Sequence, residues 1–70
     1  MNKIKELTDL KTGDEIYAPA LDKYFYIVEY GYDMDYKDMH ANLAPTNKNP
    51  DENGFTITLK SMISLGYYKI

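Results

Sequence analysis

The stretch that decides the fold is Tyr24-Phe25-Tyr26-Ile27-Val28-Glu29-Tyr30, in which aromatic and β-branched side chains dominate. Such side chains favour a strand because they pack well on a pleated surface. Successive strand residues point to opposite faces. Regular alternation therefore predicts one face with Phe25, Ile27 and Glu29 and a tyrosine-rich face with Tyr24, Tyr26, Val28 and Tyr30.

Segments on both sides of this stretch also predict strands. Glu15–Pro19 is short and ends at a proline, and Asp22-Lys23 makes a tight connection into the central strand. Residues 39–45 alternate, which predicts inward positions for Met39, Ala41 and Leu43 and outward positions for His40 and Asn42. Residues 55–60 alternate in the same way, with Phe55, Ile57 and Leu59 on one face.

Turn and helix signals complete the chain. Residues 46–54 are turn formers that end in Asn53-Gly54, a hairpin signal because both residues tolerate positive φ. Residues 60–66 fit one or two helical turns closed by Gly66, and residues 67–70 predict a last strand. Between Gly31 and Asp38 we expect an acidic loop.

The order of these elements, five strands with a helical turn before the last, resembles an SH3-like small β-barrel. Leu10-Lys11-Thr12-Gly13-Asp14-Glu15-Ile16-Tyr17 is similar to the first strand of such barrels. The resemblance implies an all-β, five-stranded barrel in one domain, residues 1–70, and leaves the activity open because this fold hosts many functions. A mixed α+β fold is the alternative if residues 3–10 form a helix.

The charge is unevenly distributed. The 70 residues carry a net charge of −3, and the whole excess lies between Glu29 and His40, where four acidic residues face one lysine. The chain has no arginine, the residue best suited to phosphate and guanine, which disfavours sequence-specific DNA binding. It has no cysteine, no apolar stretch of membrane-spanning length and no signal-like start, so we expect a cytoplasmic protein.

Catalytic and metal-binding motifs are absent from the sequence. The single histidine, His40, has the position of a surface strand residue, and no nucleophile elbow, phosphate loop or zinc-ligand cluster occurs. Residues 33–38 and 49–54 resemble the start of a calcium loop, but Ala44 and Lys60 stand where a calcium loop needs glutamate. We therefore predict neither an enzyme, nor a metal site, nor a cofactor.

The tyrosines and carboxylates from position 24 to position 38 predict a partner-binding face, because tyrosine is enriched at interfaces and the acidic rim would attract a basic partner. Alternatively, several of these tyrosines simply cover the core. The predicted binding residues are Tyr24, Tyr26, Tyr30, Tyr32, Asp33, Asp35, Tyr36 and Asp38.

The residues leave several function classes open. Residues with AT-rich codons (Phe, Tyr, Met, Ile, Asn, Lys) number 33 against 11 with GC-rich codons (Gly, Ala, Arg, Pro), which indicates an AT-rich genome. Our first hypothesis is a small accessory or inhibitory protein, from a low-GC Gram-positive bacterium or its phage, that binds a host protein. Mimicry of nucleic acid by the carboxylates is one form of such inhibition. The alternatives are a nucleic-acid-binding barrel of the SH3 or KOW type and a self-assembling structural subunit. Recognition of proline-rich peptides is disfavoured, because the chain lacks tryptophan and the Ala-Leu-Tyr-Asp-Tyr motif.

Overall fold

The computed structural model describes residues 2–5, 10–46 and 53–70, which form six strands and one helix. In chain order these are β1 (Asn2–Lys3), β2 (Glu15–Ala18), β3 (Lys23–Asp33), β4 (Asp38–Pro45), β5 (Phe55–Thr58), α1 (Leu59–Ser64) and β6 (Tyr68–Lys69). The predicted class, mostly β with one short helix, is confirmed.

All six strands belong to one antiparallel sheet in the order β1-β6-β2-β3-β4-β5. β1 and β5 are its edges, so the sheet is not closed into a barrel. There are six strands in place of the predicted five because Asn2–Lys3 pairs with β6. The alternative helix over residues 3–10 conflicts with Lys3, which lies in β1, while residues 6–9 of that prediction are outside the described part.

The hydrophobic core lies against one face of the sheet. Phe25 of β3 is fully buried opposite Ile16 of β2, and its ring meets that of Phe55 edge-on at a centroid distance of 5.0 Å. Of the residues predicted to face inward, Ala41 and Leu43 are buried in this core, and Phe55, Ile57 and Leu59 are partly buried against it. Met39, also predicted to face inward, is not part of the core cluster. The buried residues are Ile4, Leu10, Ile16, Ala18, Phe25, Ile27, Ala41, Leu43, Met62 and Tyr67.

A β-bulge interrupts β3 at Val28. Ile27 pairs with Leu43 and Glu29 pairs with Asn42, so Val28 has no residue opposite it. A bulge adds one residue to one strand and thereby exchanges the two faces of the strand beyond it.

The bulge makes the predicted alternation of β3 wrong beyond Ile27. Glu29, predicted on the side of Phe25, lies on the outer face (the face away from the core), where it accepts a hydrogen bond of 2.8 Å from Asn42 Nδ2. Tyr30, predicted beside Tyr26 on the outer face, lies instead opposite the buried Ala41 on the core side.

The hairpin of β3 and β4 is longer than the sequence predicts. Gly31–Asp33 continue β3 and Asp38 begins β4, so the predicted acidic loop is reduced to the turn Met34–Lys37. Backbone pairing with β4 outweighs the weak strand preference of glycine and aspartate. Lys37 helps to close the turn with a φ of 53°.

The short helix follows its predicted boundaries closely. Thr58 caps its start by accepting a hydrogen bond of 3.2 Å from Ser61 N. Gly66, with a φ of 73°, closes its end as predicted: Gly66 N donates to Ile63 O and Tyr67 N donates to Met62 O. These two bonds form a Schellman motif.

Gly54 is required for a different reason from the predicted one. Neither Asn53 nor Gly54 has a positive φ. A Cβ atom at Gly54 would overlap the carbonyl oxygen of Leu43 on β4. Glycine therefore permits the close approach of two backbones. Most of the predicted turn, residues 47–52, and the start of the turn predicted at residues 7–9 lie outside the described residues.

Candidate functional site

The eight residues predicted to form one binding face lie in three places. Tyr24 and Tyr26 are on the outer face, opposite residues of β2. Tyr30 and Tyr32 lie on the core side of the β3–β4 hairpin, because the bulge reverses that part of the strand. The remaining four lie where β3 and β4 meet, at the end of the hairpin: Asp33, Asp35, Tyr36 and Asp38.

Tyr24 has a ring partner within the chain on the outer face. The rings of Tyr17 and Tyr24 are 4.9 Å apart between centroids and inclined by 40°. The hydroxyl of Tyr17 donates a hydrogen bond of 2.8 Å to Asp22, and this bond raises the pKa of the Tyr17 phenol. The ring contact and the hydrogen bond hold this part of the outer face together.

Large apolar side chains are most exposed at the end of the hairpin. Tyr32 is 58% exposed, Met34 80% and Tyr36 71%. Within the described residues, β3 also has no strand beside it on the β2 side beyond Ile27. Exposed apolar groups next to an unpaired strand edge are typical of a contact surface.

Two carboxylates face each other across the hairpin, Asp33 opposite Asp38. Like charges directly opposite each other repel. Each of the two carboxylates accepts hydrogen bonds from a different part of the chain. Asp33 Oδ1 accepts hydrogen bonds from the backbone N–H groups of Asp35 (2.9 Å) and Tyr36 (3.2 Å) in the turn. Asp38 Oδ2 accepts one of 2.9 Å from Lys60 N, so Asp38 fastens the hairpin to the start of α1.

A pocket of about 350 Å³ lies where the hairpin turn, β5 and α1 meet. This volume is within the range of small-molecule sites. His40 Nδ1 lies 3.5 Å from Asp33 Oδ2, buried and without a hydrogen-bond partner. The lining residues are Asp33, Tyr36, His40, Thr56, Ile57, Thr58 and Ser61.

The pocket contains a carboxylate, an imidazole and a hydroxyl, the residue types of serine hydrolases. In those enzymes the histidine also reaches the serine hydroxyl. In the described structure Ser61 Oγ instead accepts a hydrogen bond of 3.0 Å from Thr58 Oγ1, and no hydrogen bond joins it to His40. This geometry suits binding better than nucleophilic catalysis.

The sequence did not indicate that His40 and Ser61 belong to a site. His40 appeared to be a surface strand residue, and Ser61 part of a helical turn. One local signal was available, since Thr58 and Ser61 have the spacing of a helix N-cap. That signal gives the start of a helix and cannot show that the helix starts beside the hairpin turn.

No family model, curated protein or solved structure matches this chain. Among the described residues there is no group of three or more His, Cys, Asp or Glu side chains that could hold a metal ion. The same part of the chain contains no helix long and apolar enough to cross a membrane.

Proposed function

We propose that this chain is a non-enzymatic binding module that contacts a protein partner through the hairpin end (residues 30–38). The observation that supports this proposal is the exposure of Tyr32, Met34 and Tyr36 around one tight turn. Tyrosine and methionine are enriched in protein interfaces, since they provide large contact areas. Tyrosine does so at a low cost in conformational entropy.

The charge of the hairpin favours a basic partner. Residues 29–40 carry four carboxylates and one lysine, while charges in the remaining chain balance. Complementary charge accelerates the encounter and selects the partner more than it strengthens the complex. We therefore propose a partner with a positively charged surface around an apolar contact.

The same charge argues against the alternative occupants. Nucleic acid would be repelled by the acidic hairpin, and no arginine is present to bind phosphate. A second copy of the chain would bring two acidic hairpins together, which disfavours self-assembly through this surface. An inhibitor that mimics nucleic acid would use the same carboxylates on a basic groove, so it is one form of the proposed function.

We further propose that the chain is a cytoplasmic accessory or inhibitory protein of a low-GC Gram-positive bacterium or its phage. Residues with AT-rich codons (Phe, Tyr, Met, Ile, Asn, Lys) number 33, against 11 with GC-rich codons (Gly, Ala, Arg, Pro). A relationship to SH3-like barrels is also a proposal. It is supported by the run of antiparallel strands β2 to β5 and by the helix before the last strand.

The test is affinity capture with the whole chain from nuclease-treated lysate of such a bacterium. We expect one protein at near-equal amount, lost in the double variant Tyr32→Ser, Met34→Ser. Leu21→Ser is the matched control, because Leu21 is 50% exposed in the turn between β2 and β3, outside the proposed surface. Circular dichroism melting verifies that each variant is folded.

Binding of the purified partner is then measured at low and at physiological salt. We expect the association rate to fall as salt screens the acidic hairpin. Equal capture by the double variant and the control would refute this surface. Capture of nucleic acid when nuclease is omitted, or a defined homo-oligomer with no other partner, would replace the proposal by one of the two alternatives.

A further inference from the structure

We infer that the pocket beside the hairpin end accepts one cationic side chain, a lysine ammonium or an arginine guanidinium. This inference rests on the proposed function, because it assigns that side chain to the basic partner. It is carried by the balance of hydrogen-bond donors and acceptors around the pocket, together with its single carboxylate.

Four backbone donors around the pocket are already used by the chain itself. Asp33 Oδ1 accepts hydrogen bonds from the backbone N–H groups of Asp35 and Tyr36 in the turn. At the start of α1, Asp38 Oδ2 accepts a hydrogen bond from Lys60 N, and Thr58 Oγ1 accepts one from Ser61 N. An anion is normally held by such backbone N–H groups. These four N–H groups are therefore not available to an anion.

Acceptors, in contrast, remain available. Asp33 Oδ2 makes no hydrogen bond in the described structure, and His40 Nδ1 lies 3.5 Å from it. The hydroxyl of Thr56 donates to Asn42 Oδ1, which leaves its oxygen lone pairs free to accept. A carboxylate oxygen that shares a pocket with hydroxyl oxygens matches the N–H groups of a side-chain cation, which has donors and no acceptor.

One apolar feature suits the rest of such a side chain. The ring of Tyr36 lines the pocket and is also largely exposed, so it can cover a cation by its π face. Because Asp33 Oδ1 is occupied, the carboxylate presents one free oxygen and not the pair that favours arginine over lysine.

The experiment is an NMR titration of the whole chain with N-acetyl-arginine amide and N-acetyl-lysine amide. N-acetyl-citrulline amide, which has the shape of arginine without its charge, is the ligand control. We expect saturable shifts at the His40 ring and the Ser61 amide with one or both cations, at dissociation constants of about 1 mM. Citrulline should cause no saturable shift.

Asp33→Asn is the decisive variant, because asparagine keeps the acceptor for the turn and removes the charge. We expect it to weaken cation binding about tenfold. Asp35→Asn makes the same charge change in the same turn but outside the pocket lining, and it should change binding less than about twofold. Its backbone N–H is still held by Asp33, so the turn is preserved.

The outcomes separate this inference from the proposed function. Equal binding of citrulline, or equal effects of Asp33→Asn and Asp35→Asn, would overturn the cation pocket. A partner that is lost with Tyr32→Ser, Met34→Ser but binds Asp33→Asn at full affinity would support the proposed function and refute the pocket. Asp33-dependent cation binding without any captured protein would support the pocket and refute the proposed function.

Discussion

Deletion of Val28 tests whether β3 has an extra residue at that point. Ile27 lies opposite Leu43 and Glu29 opposite Asn42, so removal of Val28 leaves both pairs in place and makes the ladder continuous. No residue beyond position 28 changes its partner or its face. We therefore expect the shortened chain to fold with the same hairpin end.

The expected change in stability is small. Val28 is 48% exposed, so about half of the ~1.5–3 kcal/mol that a fully buried valine contributes is lost, which is about 1 kcal/mol. The chain then orders one residue fewer, which removes an entropic cost of about 1–2 kcal/mol. These opposing effects leave the free energy of unfolding within about 1 kcal/mol of its original value, a change in Tm below about 8 °C.

Deletion of Gly31, in the same strand and opposite His40, is the control. The turn can then keep its register with β4 only if Val28 takes a regular paired position and the bulge disappears. Glu29 would move opposite Ala41 on the core side and lose its hydrogen bond to Asn42, while Tyr30 would move to the outer face. Loss of a hydrogen bond to a charged group costs about 1.5–3 kcal/mol. That is a large part of the ~3–5 kcal/mol that a core of this size supplies.

Urea denaturation followed by far-UV circular dichroism measures both deletions, and a nuclear Overhauser effect between Glu29 and Asn42 reports the register. We expect the Val28 deletion to keep this cross-strand contact and the Gly31 deletion to lose it. If deletion of Val28 destabilises the chain as much as deletion of Gly31, Val28 is not an extra residue. The regular alternation predicted from the sequence would then describe β3.

Four further predictions concern single residues. Gly54→Ala should lower the free energy of unfolding by about 1–3 kcal/mol, because the added Cβ meets the Leu43 carbonyl. Gly31→Ala, with nothing within 4 Å of its Cβ, should raise it by about 0.4–1 kcal/mol, and equal effects in urea denaturation would contradict the structure. Thr58→Ala should cost about 1 kcal/mol through loss of the helix cap, and Thr58→Ser should restore the melting temperature. Burial raises the pKa of the Tyr67 phenol above its ordinary value of 10.0, so the protonated form is favoured in the folded state. The contribution of this group to the free energy of unfolding should therefore be fully present below pH 10 and be lost as the pH rises through the raised pKa. Tyr67→Phe should lose stability less steeply over this range. Identical alkaline denaturation curves for the two proteins would refute this.

Much of the secondary structure could be predicted from local signals. The strand at residues 15–18, the alternation of residues 39–45 and the helix closed by Gly66 depend on side chains close together in the chain, and the structure has all three. The predicted acidic loop failed because pairing with β4 extends the strand through Asp33. Local preference is weaker than a continuous backbone ladder.

The candidate site could be predicted only in part. The sequence placed Asp33, Asp35 and Tyr36 in an acidic, aromatic segment, and the structure puts them at one hairpin end. The sequence contained no sign that His40 and Ser61 would share a pocket with Asp33, since these residues come from three different elements. Their distances depend on how the hairpin packs against α1.

The sequence by itself determined the class of fold, the acidic character of residues 29–40 and the positions of most strands, because these properties depend on composition and on periods of a few residues. The tertiary structure decided which face each side chain occupies. One extra residue at Val28 moves Glu29 to the outer face and Tyr30 to the core side. Whether a strand accommodates an extra residue depends on the strand paired with it, which periodicity within one strand cannot reveal.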